Sequence, residues 1–308
     1  MRSVELVDPL DGHAFSVFVP VATNGLGGFD SDGASYAKGP QPRNFEIVTS
    51  PTTLYSAPLE TFSDPLDDAV KGAMTEMLLS LGRDVENVRS LSPADRYELA
   101  AAVARQAGRD DFAVGELFLT GAWTVRDTVV GFLPGIQGAS DAWSKFVETL
   151  PMVREVDNDR GATIAFFDMA RLCHRGGFGY ERDEMLRLSS QIPDAGLNAD
   201  AKRDEFSRRV ARERVLLEKA RDAFQAGLEK SKGSGDNLVH YRYLVGDLER
   251  RLGNFDAART ALEAAELDAS AAEQTKSLAR DALAVLKVQA KTPVVGTKPA
   301  DEVQSGAP

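Results

Sequence analysis

The sequence predicts an α+β fold that is mostly α. A small β ribbon-like module over residues 1–62 precedes an array of antiparallel α-hairpins over 63–290, and a tail covers 291–308. Three observations predict it. Phe15, Val17, Val19 and Val21 alternate singly and so share one strand face. From Ser63 onward the apolar spacing changes to the three-and-four rhythm of helices. Glycines and capping residues then cut that stretch into lengths that fold back on one another as hairpins.

Within the amino-terminal module, a turn-rich loop runs from Asn24 to Gly33, and a second strand is expected at Phe45–Val48. Asp64 before Pro65 predicts a helix start, with Ala69, Val70, Ala73, Met74, Met77 and Leu78 as its apolar stripe. Ser92-Pro93-Ala94-Asp95 repeats the capping signal and opens a helix that Gly108 stops. The next helix, over Phe112–Val130, has Ala113, Leu117, Ala122 and Trp123 to pack back on Leu99, Ala102, Val103 and Ala107. Residues 131–160 read as an insertion carrying one short amphipathic helix, on which Ala142, Trp143, Phe146 and Leu150 recur. Helices resume over 161–175, 182–191, 200–230, 237–252, 255–267 and 270–289. The Pro- and Gly-containing tail from Lys291 is expected to be disordered.

Hydrophobic residues make up 43% and charged residues 27% of the chain, the balance of a globular protein, and the formal charge is −11. A negative surface repels phosphate backbones and anionic lipids, so neither nucleic acid nor membrane is an expected partner. The single cysteine, Cys173, allows no intrachain disulfide, and the amino terminus meets acidic residues before any apolar run. A cytoplasmic location is the expectation.

Residues 243–258 carry the clearest repeat signal. Gly246 falls where one helix must let its partner approach, Gly253-Asn254-Phe255 makes the turn, and Ala258, Leu262 and Ala265 line the second helix. This stretch resembles one tetratricopeptide unit, departing from it where Glu249 replaces an aromatic residue. The resemblance implies stacked neighbours, because one such unit buries its apolar face only against others.

The amino-terminal part carries a second resemblance. The loop reads Thr23-Asn24-Gly25-Leu26-Gly27-Gly28-Phe29-Asp30-Ser31-Asp32, then Gly39-Pro40-Gln41-Pro42, and the helices contain Gly121-Ala122-Trp123 with Arg126. These motifs, with Leu244-Val245-Gly246-Asp247-Leu248, resemble an uncharacterised bacterial family, the domain of unknown function 2225. That resemblance implies a zinc-ribbon-like module with two CPxCG knuckles in front of repeat-type helices. Here the knuckles stand as Asp8-Pro9-Leu10-Asp11-Gly12 and Ser50-Pro51-Thr52-Thr53-Leu54-Tyr55, so a degenerate zinc ribbon is expected. Structural zinc draws most of its affinity from thiolates. The former knuckle positions Asp8, Asp11, Ser50 and Thr53, even with His13, form a weak set, and no metal or other cofactor is expected.

No catalytic constellation emerges. Asp30-Ser31-Asp32-Gly33 resembles the opening of a calcium loop but lacks the later oxygen ligands, so a side-chain-stabilised turn is preferred. Gly25-x-Gly27-Gly28 lacks the third glycine and the helix of a phosphate cradle. Cys173 and His174 are helix neighbours that diverge by about 100° and cannot pair as nucleophile and base. Arg208, Arg209, Arg212, Arg214 and Arg221 alternate with Glu205, Glu213 and Glu218, which reads as a solvated helix face. The leading expectation is a non-enzymatic protein–protein interaction scaffold that takes a protein or peptide on its helical surface. Tyr241, Arg242, Leu244, Val245 and Arg250 are the partner-binding candidates. The alternative is an enzyme with a carboxylate site, involving Asp30 and Asp32, between the amino-terminal module and the helices.

Overall fold

A computed structural model describes residues 1–81, 88, 90–131, 135–193, 196–231 and 235–289. The disordered tail expected from Lys291 lies outside these. Among the described residues there are six short strands and ten α-helices, in the mostly-α arrangement that the sequence predicts.

Strands β1 (Arg2–Val7) and β2 (Ala14–Val19) form an antiparallel hairpin in which Val4 faces Val17 and Leu6 faces Phe15. The alternation is the expected one up to Val19, whereas Val21 lies beyond the strand and is exposed. Residues β3 (Gly28–Phe29) leave the hairpin and pair in parallel with β6 (Ile136–Gln137). A 3-10 turn occupies Pro42–Phe45, so the second expected strand begins later, as β4 (Ile47–Thr49), antiparallel to β5 (Ser56–Pro58).

The module is not a free-standing domain. Leu6, Val48, Leu54, Tyr55 and Phe62 share one core with Met74 and Leu78 of α1 (Asp68–Ser80) and with Leu99 and Val103 of α2 (Pro93–Gln106). Helix α1 starts at Asp68, with Asp67 as its cap, rather than at the Asp64-Pro65 signal. Leu66 instead packs against the amino-terminal core, which takes precedence over a local start signal. Helix α2 begins as read, with Ser92 and Asp95 capping each other's backbone N–H groups.

Helix α3 (Asp111–Val130) packs along α7 (Ala199–Lys230), and small residues set their distance. A Cβ on Gly115 would stand 2.4 Å from the Phe224 ring, so only glycine lets the helices lie this close. Helix α4 (Gly138–Arg154) corrects the expected insertion. It packs on α5 (Asp159–Gly176) and α10 (Glu273–Gln289), burying Ala142, Phe146 and Leu150. Their core also takes in α6 (Gly179–Ser190) and the start of α7. The segment is therefore a member of the array, and Trp143 packs inward on Phe146 and Phe178. Helices α8 (Asp236–Leu252) and α9 (Phe255–Leu267) form the hairpin anticipated around Gly246. A Cβ there would lie 2.7 Å from Leu262 Cγ, and Gly253 closes the first helix at φ 88°. No described helix is long and apolar enough to cross a membrane.

Candidate functional site

Two polar assemblies are built where these elements meet. The first joins the amino-terminal loop to the helices. The loop is folded on itself by hydrogen bonds from Gly27 N to Tyr36 O and from Asp30 N to Ala34 O, which push Asp30, Ser31 and Asp32 inward. Arg126 of α3 donates through Nη1 to Asp30 Oδ2 at 2.9 Å and through Nη2 to Asp32 Oδ2 at 2.7 Å. Its Nε donates to Glu213 Oε1 of α7 at 2.8 Å. Arg175 of α5 donates to Asp30 Oδ1 at 2.7 Å and to Gly27 O, while its guanidinium lies 4.0 Å over the Tyr36 ring. Tyr36 completes the shell of Asp30 by donating to Oδ2 at 2.7 Å.

Helix α8 closes the other side. Ser31 donates to Asp247 Oδ2 at 2.8 Å and accepts from Arg250 and Arg251, both at 3.1 Å, while Tyr243 donates to the Ser31 carbonyl. Arg250 and Arg251 also grip Asp247. Asp30, Asp32, Glu213 and Asp247 thus face Arg126, Arg175, Arg250 and Arg251, four negative charges against four positive. Burial opposes ionisation, but Arg126 and Arg251 outweigh it and hold the Asp32 carboxyl far below the usual carboxylate range. Glu213, with Arg126 and His174 against it, is likewise brought down to about 2 despite its burial.

The carboxylate site expected between module and helices has no opening here. Asp30 and Asp32 are 2% and 1% exposed, and each of their oxygens accepts a hydrogen bond from protein. A calcium ion would have to displace the arginines. The assembly is a clasp that fastens the loop to three helices.

The former knuckles are joined by hydrogen bonds. Asp8 Oδ1 accepts from Leu10 N at 2.7 Å, and Oδ2 accepts from Thr53 Oγ1 at 2.6 Å, linking one turn to the other. Ser50 Oγ accepts from the backbone of Thr52 and Thr53, and exposed Asp11 accepts from His13 N. These carboxylate and hydroxyl donors, already engaged with each other, do not fit the thiolate tetrahedron of a zinc ribbon. Among the described residues no three His, Cys, Asp or Glu side chains gather as metal ligands.

The structure corrects the expected partner surface on α8. Leu244 and Val245 belong to the core, and Arg250 is 1% exposed within the clasp, because α7, α9 and α10 surround this helix. Tyr241 stacks on Phe112 at 4.2 Å and donates to Glu116, and Arg242 donates to Asp268, so these two sit at the edge of packed surfaces. The α7 arginines are paired as a charged face: Arg208 and Arg209 with Glu205, Arg212 with Asp95 and Glu98, Arg214 with Glu218.

The second assembly is a cleft of about 640 Å³ between α6, α7 and the α8–α9 turn. Its walls include His174, Tyr180, Glu181, Arg182, Arg214 and Phe255. His174 Nε2 lies 2.6 Å from Glu213 Oε2. Since Glu213 is ionised, Nε2 carries the proton and Nδ1 presents its lone pair toward Arg182 Nη1 at 3.4 Å. Burial lowers the His174 pKa further than Glu213 restores it, which keeps the ring neutral near pH 7. Cys173 is fully buried, and desolvation, with the nearby Glu181 carboxylate adding to it, pushes its thiol well up.

Glu181, in the first turn of α6, is 2% exposed, and burial raises its carboxyl above the usual range. Its own backbone N–H opposes that shift. Sequence reasoning missed Tyr180 and Glu181, since they follow Gly176-Gly177-Phe178-Gly179 with no motif of their own. Only the fold brings them opposite α7. No family model, curated protein or solved structure matches the chain.

Proposed function

We propose that the protein is a protein–protein interaction scaffold that receives a segment of a partner in the cleft between α6, α7 and the α8–α9 turn. One contrast carries this reading. The clasp is closed and charge-balanced, whereas the cleft opens to solvent with Tyr180 51% exposed, Arg214 at its rim and Glu181 facing inward. Tyrosine and arginine around a partly apolar hollow are the side chains that dominate binding energy at protein interfaces. Helical arrays use such hollows between successive pairs to hold extended partners. The likeness of residues 243–258 to a tetratricopeptide unit supports the same reading. The likeness to the family of domain of unknown function 2225 adds architecture rather than activity.

A photo-crosslinking side chain in place of Tyr180 tests it in cells that make the protein. One discrete adduct is expected from Tyr180 and none from the same probe at exposed Glu263, outside the cleft. Equal labelling from both positions overturns the reading.

A further inference from the structure

Pairing off the charges in the cleft wall leaves one over. Arg182 is held by Asp183 at 2.7 Å and Arg214 by Glu218 at 3.0 Å. Arg250 and Arg251 are committed to Asp247. Glu213 is shared by Arg126 and His174, and His174 is neutral. Among the described residues Glu181 is the one acid of this wall with no ion pair, held by its own backbone N–H and with the buried Cys173 thiol nearby. At 2% exposure its carboxylate meets the cleft over only a small area.

A largely buried carboxylate without a counter-charge is unfavourable unless something pairs with it. The upward pull of burial on its carboxyl is the same imbalance seen from the proton's side. Around it the cleft offers the apolar surface of Val210, Leu217, Leu252 and Phe255, room for an alkyl stem, and the ring of Tyr180 stands at the mouth. A cationic head on a hydrocarbon stem matches these surfaces together, because such side chains pack their stems on apolar walls while the head seeks an anion or a ring face.

We infer that the cleft takes a lysine or arginine side chain of the partner segment, with its ammonium or guanidinium group paired to Glu181. This rests on the reading of the cleft as a partner-binding site and specifies the partner as a basic segment. The chain's net charge of −11 steers such a segment inward, since opposite net charges accelerate encounter.

The test is fluorescence anisotropy of the full chain with labelled hexapeptides of one neutral sequence, whose central residue is lysine, arginine, norleucine or glutamate. Lysine and arginine peptides are expected to bind at least about tenfold tighter than the norleucine peptide. Glu181→Gln should erase that difference while the thermal midpoint stays level or rises, since the variant relieves an unpaired charge. Equal binding of lysine and norleucine peptides, preference for glutamate, or a lysine preference that survives Glu181→Gln overturns the inference. Free n-pentylamine serves as a further arm. Saturation by the amine as tight as by the lysine peptide shows a small-amine site and overturns the assignment to a partner side chain. A partner cross-linked through Tyr180 by an acidic or neutral segment leaves the scaffold standing and removes only the basic-segment inference.

Discussion

Arg126 grips Asp32 at 2.7 Å across 94 residues of chain, and neither side chain touches solvent. The same guanidinium holds Asp30 and Glu213, so one side chain of α3 ties the loop to α7. Its geometry is the planar fork that suits arginine and defeats lysine.

Removing Arg126 takes one partner from each of three buried carboxylates. Arg126→Met should lower stability to urea unfolding by about 3–5 kcal/mol, the usual cost of deleting one partner of a buried pair. Arg126→Lys should recover only part of it. A loss below about 1 kcal/mol in Arg126→Met would show the clasp to be dispensable.

Acid should loosen the protein in two steps. His174 takes up a proton less readily when folded than its ordinary value of 6.5 allows, and Glu213 is lowered from 4.5 to about 2. Both shifts have the same sign, because the unfolded chain binds protons that the native state resists. Stability is therefore full above pH 6.5 and declines as pH falls, first through His174. It then falls more steeply below 4.5, through Glu213 and Asp32. Urea midpoints measured from pH 8 to pH 3 should show this, and His174→Gln should remove the first step and soften the second, since His174 helps hold Glu213 down.

The link between the former knuckles can be cut singly. Thr53→Val removes the hydroxyl that donates to Asp8, which is 1% exposed, and should cost about 1–3 kcal/mol. Thermal midpoints with and without a chelator should coincide in the wild type. Elemental analysis that finds one zinc per chain would contradict the hydrogen-bonded account of these turns.

Close approach in the α8–α9 hairpin predicts a coupling. Gly246→Ala drives a methyl group to 2.7 Å from Leu262 Cγ and should cost about 1–3 kcal/mol by overpacking. Leu262→Ala should cost about 2–5 kcal/mol by leaving a cavity. In the double variant the new methyl enters that space, so the measured sum should fall short of additivity by at least about 0.5 kcal/mol. Strict additivity would mean that the two helices do not meet there.

Elements whose ends are set by neighbours in sequence were legible from it. Ser92 with Asp95, Gly108 and Gly253 act within a few residues of where they stand, and the helices they bound lie as read. Elements settled by distant packing were not. Helix α1 starts after Leu66 has turned toward the amino-terminal core, and α4 joins the array because α5 and α10 cover its apolar stripe. The site was less legible still. Asp30 and Asp32 could be noticed as acidic residues, but Arg126, Arg175 and Arg251, scattered over three helices, decide what those acids do. Leu244 and Val245 looked like a binding face only while the helices around α8 were out of view.

The hydrogen bond from Ser31 to Asp247 spans 216 positions of the chain. A ribosome adding roughly 5–20 residues per second would make the loop wait about ten to forty seconds for its last anchor to be synthesised. During that interval the nascent loop's acids lack the arginines of α8, and a product cut short before that helix keeps two charged surfaces that mature molecules hide. The clasp therefore closes only after α8 has been made, and a chain cut short before it leaves Ser31 without Asp247, Arg250 and Arg251.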